Sequence, residues 1–280
     1  MNGVSLRTLL IAALLAPVML AVGTTGWVSY TYGQRAIRQL VSQLQLEVSD
    51  SISGQLVSYL GTPHDLNQLN VDALQAGLLN NQDPDALQGH FWRQMRVFDP
   101  AAYIQLGRAD GFFVGVERNG DGTFNVEVTN EGRTGKGVFL ADARGRQSGS
   151  ALSFVDGYDP RLRPWFVAAR DTGGPTWSPI YQFSSRESAR LGITAVQPYN
   201  ELAGSFAGVV GTDIALAQLS SFIDSPRLGA RGVIYIIERD GKLVASSVMD
   251  PPFIVDADKN AHRVQATAAP DSYTRATATM

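Results

Sequence analysis

Apolar residues recur every three or four positions at Ile37, Leu40, Val41, Leu44, Val48, Ile52, Leu56 and Leu60, and from Tyr103 onward the spacing drops to two. That change of period confines the chain to an α+β architecture, because 3.6-residue spacing lines one face of a helix and alternation lines one face of a strand. The first pattern predicts one long amphipathic helix over about 34–60, ended by Gly61-Thr62-Pro63. A linker with short helices follows. The clearest of them starts at Asp83-Pro84, a capping residue before an N1 proline, and carries Leu87, Phe91, Trp92, Met95 and Val97.

Four strands are expected at 103–106, 112–117, 123–129 and 137–141, separated by Ala109-Asp110-Gly111, Asn119-Gly120-Asp121-Gly122 and Asn130-Glu131-Gly132. The second of these turns has oxygen ligands in calcium-loop style. It lacks the downstream Glu such a loop needs, so it reads as a hairpin turn. Further strands at 176–183, 191–198 and 206–211 complete an antiparallel meander, giving a sheet of about five strands with helices on one face. A helix over 214–222 then leads to a shorter sheet, in which 232–238 and 242–246 form a hairpin around Arg239-Asp240-Gly241. Beyond Pro251 the chain is polar and rich in Ala and Thr.

The N-terminus carries no charge from Leu9 to Gln34, with Arg7 before that run and Arg35 and Arg38 after it. A cleaved signal peptide and a membrane anchor both fit these features. Length, the cluster of Trp27, Tyr30 and Tyr32 at interface depth, and the lack of a clean small-x-small cleavage site favour the anchor. The flanking arginines partly cancel as orientation signals. With a net charge of −3 and no basic stripe, nothing offsets the repulsion of a phosphate backbone, so a nucleic-acid partner is not expected. The absence of Cys removes disulfides, Cys-ligated zinc and thiol catalysis together.

Chemistry concentrates in Tyr158-Asp159-Pro160-Arg161-Leu162-Arg163-Pro164-Trp165-Phe166 and in Gly211-Thr212-Asp213 downstream. A guanidinium is a permanently charged fork of donors that fits a carboxylate, and one Asp supplies the opposite pole. Tyr158 and Trp165 beside them would exclude water from a small zwitterion held by both ends. Each residue also has a structural reading. Pro164 suits N1 of a helix through 169, which puts Arg163 at the N-cap, where its charge opposes the helix dipole. That misfit favours a ligand role for Arg163. Asp213 precedes Ile214, Leu216, Leu219 and Phe222 at helical spacing, so from the residues alone it is equally a helix cap or a binding residue.

The pattern Tyr-x-x-x-x-Arg-x-Trp-aromatic, a Tyr in Ser178-Pro179-Ile180-Tyr181, and Asp in Gly-Thr-Asp at a later strand end resembles the extracytoplasmic double Cache domain of bacterial receptors. More narrowly, it is similar to the amino-acid-binding subset of that family. The resemblance covers roughly residues 34–250 and implies a long N-terminal helix plus two PAS-like antiparallel-sheet modules. It also implies that Arg163 and Trp165 face a ligand carboxylate, and that Asp213, Tyr158 and Tyr181 face its ammonium group. Phe166 stands where the family usually has Tyr. The implied organisation is an anchor with a short cytoplasmic tail over 1–33, the long helix over 34–75, a membrane-distal binding module over 76–213 and a smaller membrane-proximal module over 214–280. Such a chain would be a homodimeric sensor in the bacterial inner membrane, with its sensor region outside the cytoplasm. A second membrane span and an output domain would then belong to a longer protein.

Enzymatic readings find little support. His64, His90 and His262 are scattered without metal-ligand spacing, and there is neither a Gly-x-Ser-x-Gly elbow nor a Walker loop. Glu187 with Arg186 and Arg190 reads as a charged rim between strands rather than as catalytic machinery. No catalytic residue, cofactor or metal ligand is expected. The alternatives are a sensor for an amine or a carboxylate, and a structural dimerisation domain that takes no ligand.

Overall fold

A computed structural model describes residues 6–129, 135–184, 189–201, 203–224 and 233–279. The expected turn at 130–132, the pair Arg186 and Glu187, and Gly232 lie outside the described residues. The chain divides into a unit over Met1–Ser53 and a second over Gly54–Met280. Helix α1, Leu6–Gln75, supplies the described part of the first unit and opens the second. Within it, Leu14–Gln43 is long and apolar enough to cross a membrane, and the described side chains of that stretch face outward, Trp27, Tyr30 and Tyr32 among them.

In the second unit α1 continues through Gly61-Thr62-Pro63, so the expected stop is corrected. Pro63 forfeits one backbone hydrogen bond, but the turns beyond it bury Leu66 and Val71. Asn67 donates from Nδ2 to the Ala195 carbonyl at 2.7 Å and accepts from Thr212 Oγ1 at 2.8 Å. Tertiary packing outweighs the local breaker. Helix α2, Pro84–Met95, begins as expected, with Asp83 accepting from the Ala86 amide.

The sheet is larger than five strands. In chain order come β1 Tyr103–Arg108, β2 Phe113–Arg118, β3 Phe124–Val128, β4 Gly135–Ala141 and β5 Gln147–Asp156. Helix α3 is Pro164–Thr172, and β6 Thr176–Trp177, β7 Tyr181–Gln182, β8 Leu191–Asn200 and β9 Phe206–Ala215 follow. All nine join one antiparallel sheet ordered β5-β4-β3-β2-β1-β9-β8-β6, with β7 also paired to β8. The expected strand over 176–183 is two short ones, interrupted where Pro179 offers no donor to the ladder. Strand β5 was not anticipated, since its residues are mostly exposed and carry no apolar alternation.

One face of this sheet carries Ile104, Leu106, Val114, Val116, Val126 and Val210, and packs on α1 and α2 through Leu66, Leu87, Phe91 and Met95. The other face lies against Tyr158, Trp165 and Phe166. Helix α4 is Leu216–Ile223, capped at Ala215, so Asp213 is a strand residue and not a helix cap. The hairpin β10 Tyr235–Ile237 and β11 Leu243–Ser246 turns at Gly241, whose φ of +80° suits glycine. A second hairpin, β12 Phe253–Val255 with β13 Ala261–Arg263, and α5 Ser272–Ala278 follow in the polar stretch rich in Ala and Thr, where no element is expected from the sequence.

Candidate ligand-binding site

Cross-strand registers line up Thr194, Asp213, Tyr103 and Glu117 in one row across β8, β9, β1 and β2. Val196, Gly211, Gln105, Gly115 and Glu127 form the next row on the same face. Directly opposite residues point to the same side of a sheet, so these rows make a polar floor. Two glycines shape it. A Cβ at Gly115 would overlap the Tyr103 ring, and one at Gly107 would come within 2.8 Å of Trp165 Cη2. Without those side chains both rings lie close against the backbone.

The wall comes from the segment before α3. Asp159 caps a short turn over Pro160–Leu162 and takes the Arg161 guanidinium at 2.7 Å, which leaves Arg161 committed outside the cavity. Arg163 sits in extended backbone just before Pro164 and makes no capping contact with its side chain. Its guanidinium lies over the Tyr181 ring at 5.4 Å and donates to the Gln182 carbonyl at 2.9 Å. Trp165 is buried against Phe113 and Phe166.

Tyr158, Arg163, Trp165, Tyr181 and Asp213 therefore line one cavity, together with Tyr103, Gln105, Glu117, Glu127, Lys136, Phe183 and Arg190. The cavity is narrow, about 30 Å³. Of the six residues named from the sequence, Phe166 does not reach it. Its ring packs edge-on against Trp165 and Phe206, and it is 2% exposed.

Asp213 is one of three carboxylates that line the cavity, and it is buried. Burial pushes its carboxyl up to about 7, while hydrogen bonds from Thr194 and Gln105 pull the other way. Gln105 Nε2 donates to Oδ1 at 2.9 Å, and Thr194 Oγ1 is 2.8 Å from Tyr181 Oη. Burial likewise pushes the Tyr158 phenol upward, so it stays protonated as a donor. Beside this pair runs a charged network that sequence reasoning missed. Buried Lys136 pairs with Glu127 and lies 4.3 Å over the Tyr158 ring, and Tyr103 Oη donates to Glu127 at 2.8 Å. Arg190 pairs with Glu117. A partial signal existed: Gln105, Glu117 and Glu127 are polar residues at odd positions within apolar strands, whereas Lys136, at an even position, reaches the same face only through the β3–β4 register.

The three histidines hold separate local partners. His64 stacks edge-on with Trp177 at 4.9 Å, His90 meets Asn70 Oδ1 at 2.8 Å and His262 meets Asp256 at 2.7 Å. The Asp121 carboxylate of the Asn119–Gly122 turn accepts from the Thr123 amide at 2.9 Å and hydroxyl at 2.7 Å.

No family model matches the chain. Over 219 residues it is 23% identical to adenylate cyclase 1 of Rhizobium meliloti, covering 76% of this chain and 31% of that protein. Over 89 residues it is 33% identical to the methyl-accepting chemotaxis protein McpG of Pseudomonas putida, covering 32% of this chain and 13% of that protein. The chain thus spans less than a third of the length of these relatives. Among solved structures, methyl-accepting chemotaxis protein X superposes with a TM-score of 0.54 at 13% identity, covering 75% of each chain. The chain has the fold of a Cache ligand-binding domain of chemoreceptors. The ligand binding domain of Mlp24 with asparagine is also similar, with a TM-score of 0.45 at 21% identity, covering 75% of this chain and 72% of that one. In this Cache fold Asp213 reaches the cavity from the sheet and Arg163 from the segment before α3.

Proposed function

We propose that this chain is the extracytoplasmic sensor region of a bacterial transmembrane receptor and that it binds a free amino acid. The observation that carries this reading is one cavity lined by both Arg163 and Asp213 together with the rings of Tyr158, Trp165 and Tyr181. In the proposed complex the ligand carboxylate takes the Arg163 guanidinium, with Trp165 shielding the pair from water. The ammonium group takes Asp213, with Tyr158 and Tyr181 beside it. A cavity of about 30 Å³ has room for a water or two, so an amino acid is admitted by movement of rim side chains such as Arg163, Phe183 and Arg190.

The apolar span supports an anchor over 1–33, and the exposed Ile37, Leu40 and Val41 support pairing of two copies along the helix over 34–75. The region over 76–213 is then the membrane-distal binding module and 214–280 the membrane-proximal one, set outside the inner membrane. Ligand binding would shift the population of helix arrangements and so signal inward. The match to an adenylate cyclase over less than a third of that protein fits a sensor region shared by receptors with different outputs, and this chain is read as non-catalytic.

Titration calorimetry of the chain in detergent against amino acids, amines and carboxylates tests the reading. Wild type should bind at least one amino acid, and Arg163→Ala should weaken it by about 2–5 kcal/mol while the fold survives. Binding of amines or carboxylates alone would move the assignment to those ligands. Binding of none of the three classes would leave a dimerisation domain.

A further inference from the structure

The cavity has a second charged end that the two poles do not use. Glu117 on β2 sits directly opposite Tyr103 on β1, which sits directly opposite Asp213 on β9. Two strand spacings, about 10 Å, separate the backbones that carry the two carboxylates. An extended long side chain spans most of that distance once both carboxylates reach inward.

The four charges at this end are not equivalent. Lys136 and Glu127 are buried and neutralise each other, and Glu127 also accepts from Tyr103. Glu117 has Arg190 as its ion-pair partner among the described residues. Arg190 is a rim residue with its side chain 34% exposed, and its Nε is buried without a hydrogen-bond partner among the described residues. A guanidinium held on one side and unsatisfied on the other regains full solvation by swinging into water. That movement leaves Glu117, whose side chain is 13% exposed, with no ion-pair partner of its own among the described residues and only a share of the Lys136 charge that Glu127 already holds. A lost partner at such a site is costly. A ligand cation restores the balance. A ligand carboxylate meets two acids, while Lys136 is already committed to Glu127.

We infer that Glu117 is the specificity-determining residue of a side-chain subsite that selects amino acids with a cationic side chain, with Arg190 standing in for that cation. This rests on the amino-acid reading above. Calorimetry of the full chain in detergent with L-arginine, L-lysine, L-citrulline and L-glutamate separates the two. Arginine or lysine should bind at least tenfold tighter than citrulline, the neutral near-isostere, and tighter again than glutamate. Glu117→Gln should bring the arginine-to-citrulline ratio close to one, and Arg190→Ala should tighten arginine binding several-fold by removing the internal competitor. Should Glu117→Gln fail to fold, the wild-type ratio and the Arg190→Ala response decide. Citrulline or glutamate binding as tightly as arginine overturns the subsite and leaves the amino-acid reading standing. No binding of any amino acid overturns both.

Discussion

Asp213→Asn separates the charge on this residue from its shape. The amide keeps an oxygen for Gln105 Nε2, now 2.9 Å from Asp213 Oδ1, so that hydrogen bond survives. What disappears is the cost of a buried carboxylate. With the folded-state carboxyl near 7 against an ordinary 3.8, that cost is at most about 4 kcal/mol at about 1.4 kcal/mol per pH unit. Below pH 4 the acid is neutral in both states and costs nothing. Between 4 and 7 the unfolded chain ionises while the folded one holds its proton, so stability falls as pH rises, and above 7 the full penalty is present. Ligand-free wild type should therefore melt lower at pH 8 than at pH 5, and Asp213→Asn should remove this contribution and melt at least 4 °C above wild type at pH 8, about the value for 1 to 2 kcal/mol in a domain of this size. The same variant should lose amino-acid binding, because the ammonium group has lost its counter-charge. Tryptophan-fluorescence melts at the two pH values, with calorimetry alongside, give both readings. A variant that melts lower than wild type at pH 8, or keeps the wild-type pH slope, would refute the account of Asp213 as a buried charge whose partners only partly offset its burial.

Two further substitutions probe the walls. Phe166→Tyr places a hydroxyl among Trp165, Phe206 and the Gly107 backbone instead of in the cavity, so it should destabilise by about 1–3 kcal/mol without tightening ligand binding; tighter binding in calorimetry would show that the ring does reach the ligand. Gly115→Ala forces Tyr103 off the sheet, so melts should show a loss of about 1–3 kcal/mol, and affinity should drop as Tyr103 and Glu127 shift; unchanged stability would mean that Tyr103 is not held there by the glycine.

Hydrophobic period alone determined that a long helix precedes an antiparallel sheet, and the misfit of Arg163 before Pro164 marked it as a residue with a use beyond the helix. Local signals failed where long-range contacts decide. Helix α1 passes Pro63 because Asn67 and Leu66 find the sheet, a gain that no window around Gly61-Thr62-Pro63 contains. Strand β5 is exposed and lacks alternation, so only its pairing with β4 makes it a strand. Asp213 stood in the sequence as either cap or binder. Register settled its place, because a strand running on to Ala215 moves the helix start beyond it and turns its carboxylate toward Tyr103 and Gln105. The same register assembled Glu117, Glu127 and Lys136 beside it from three different strands. Their separation along the chain says nothing of that neighbourhood, since closeness across a sheet depends on which strands pair and in what alignment, and pairing is a property of the whole fold.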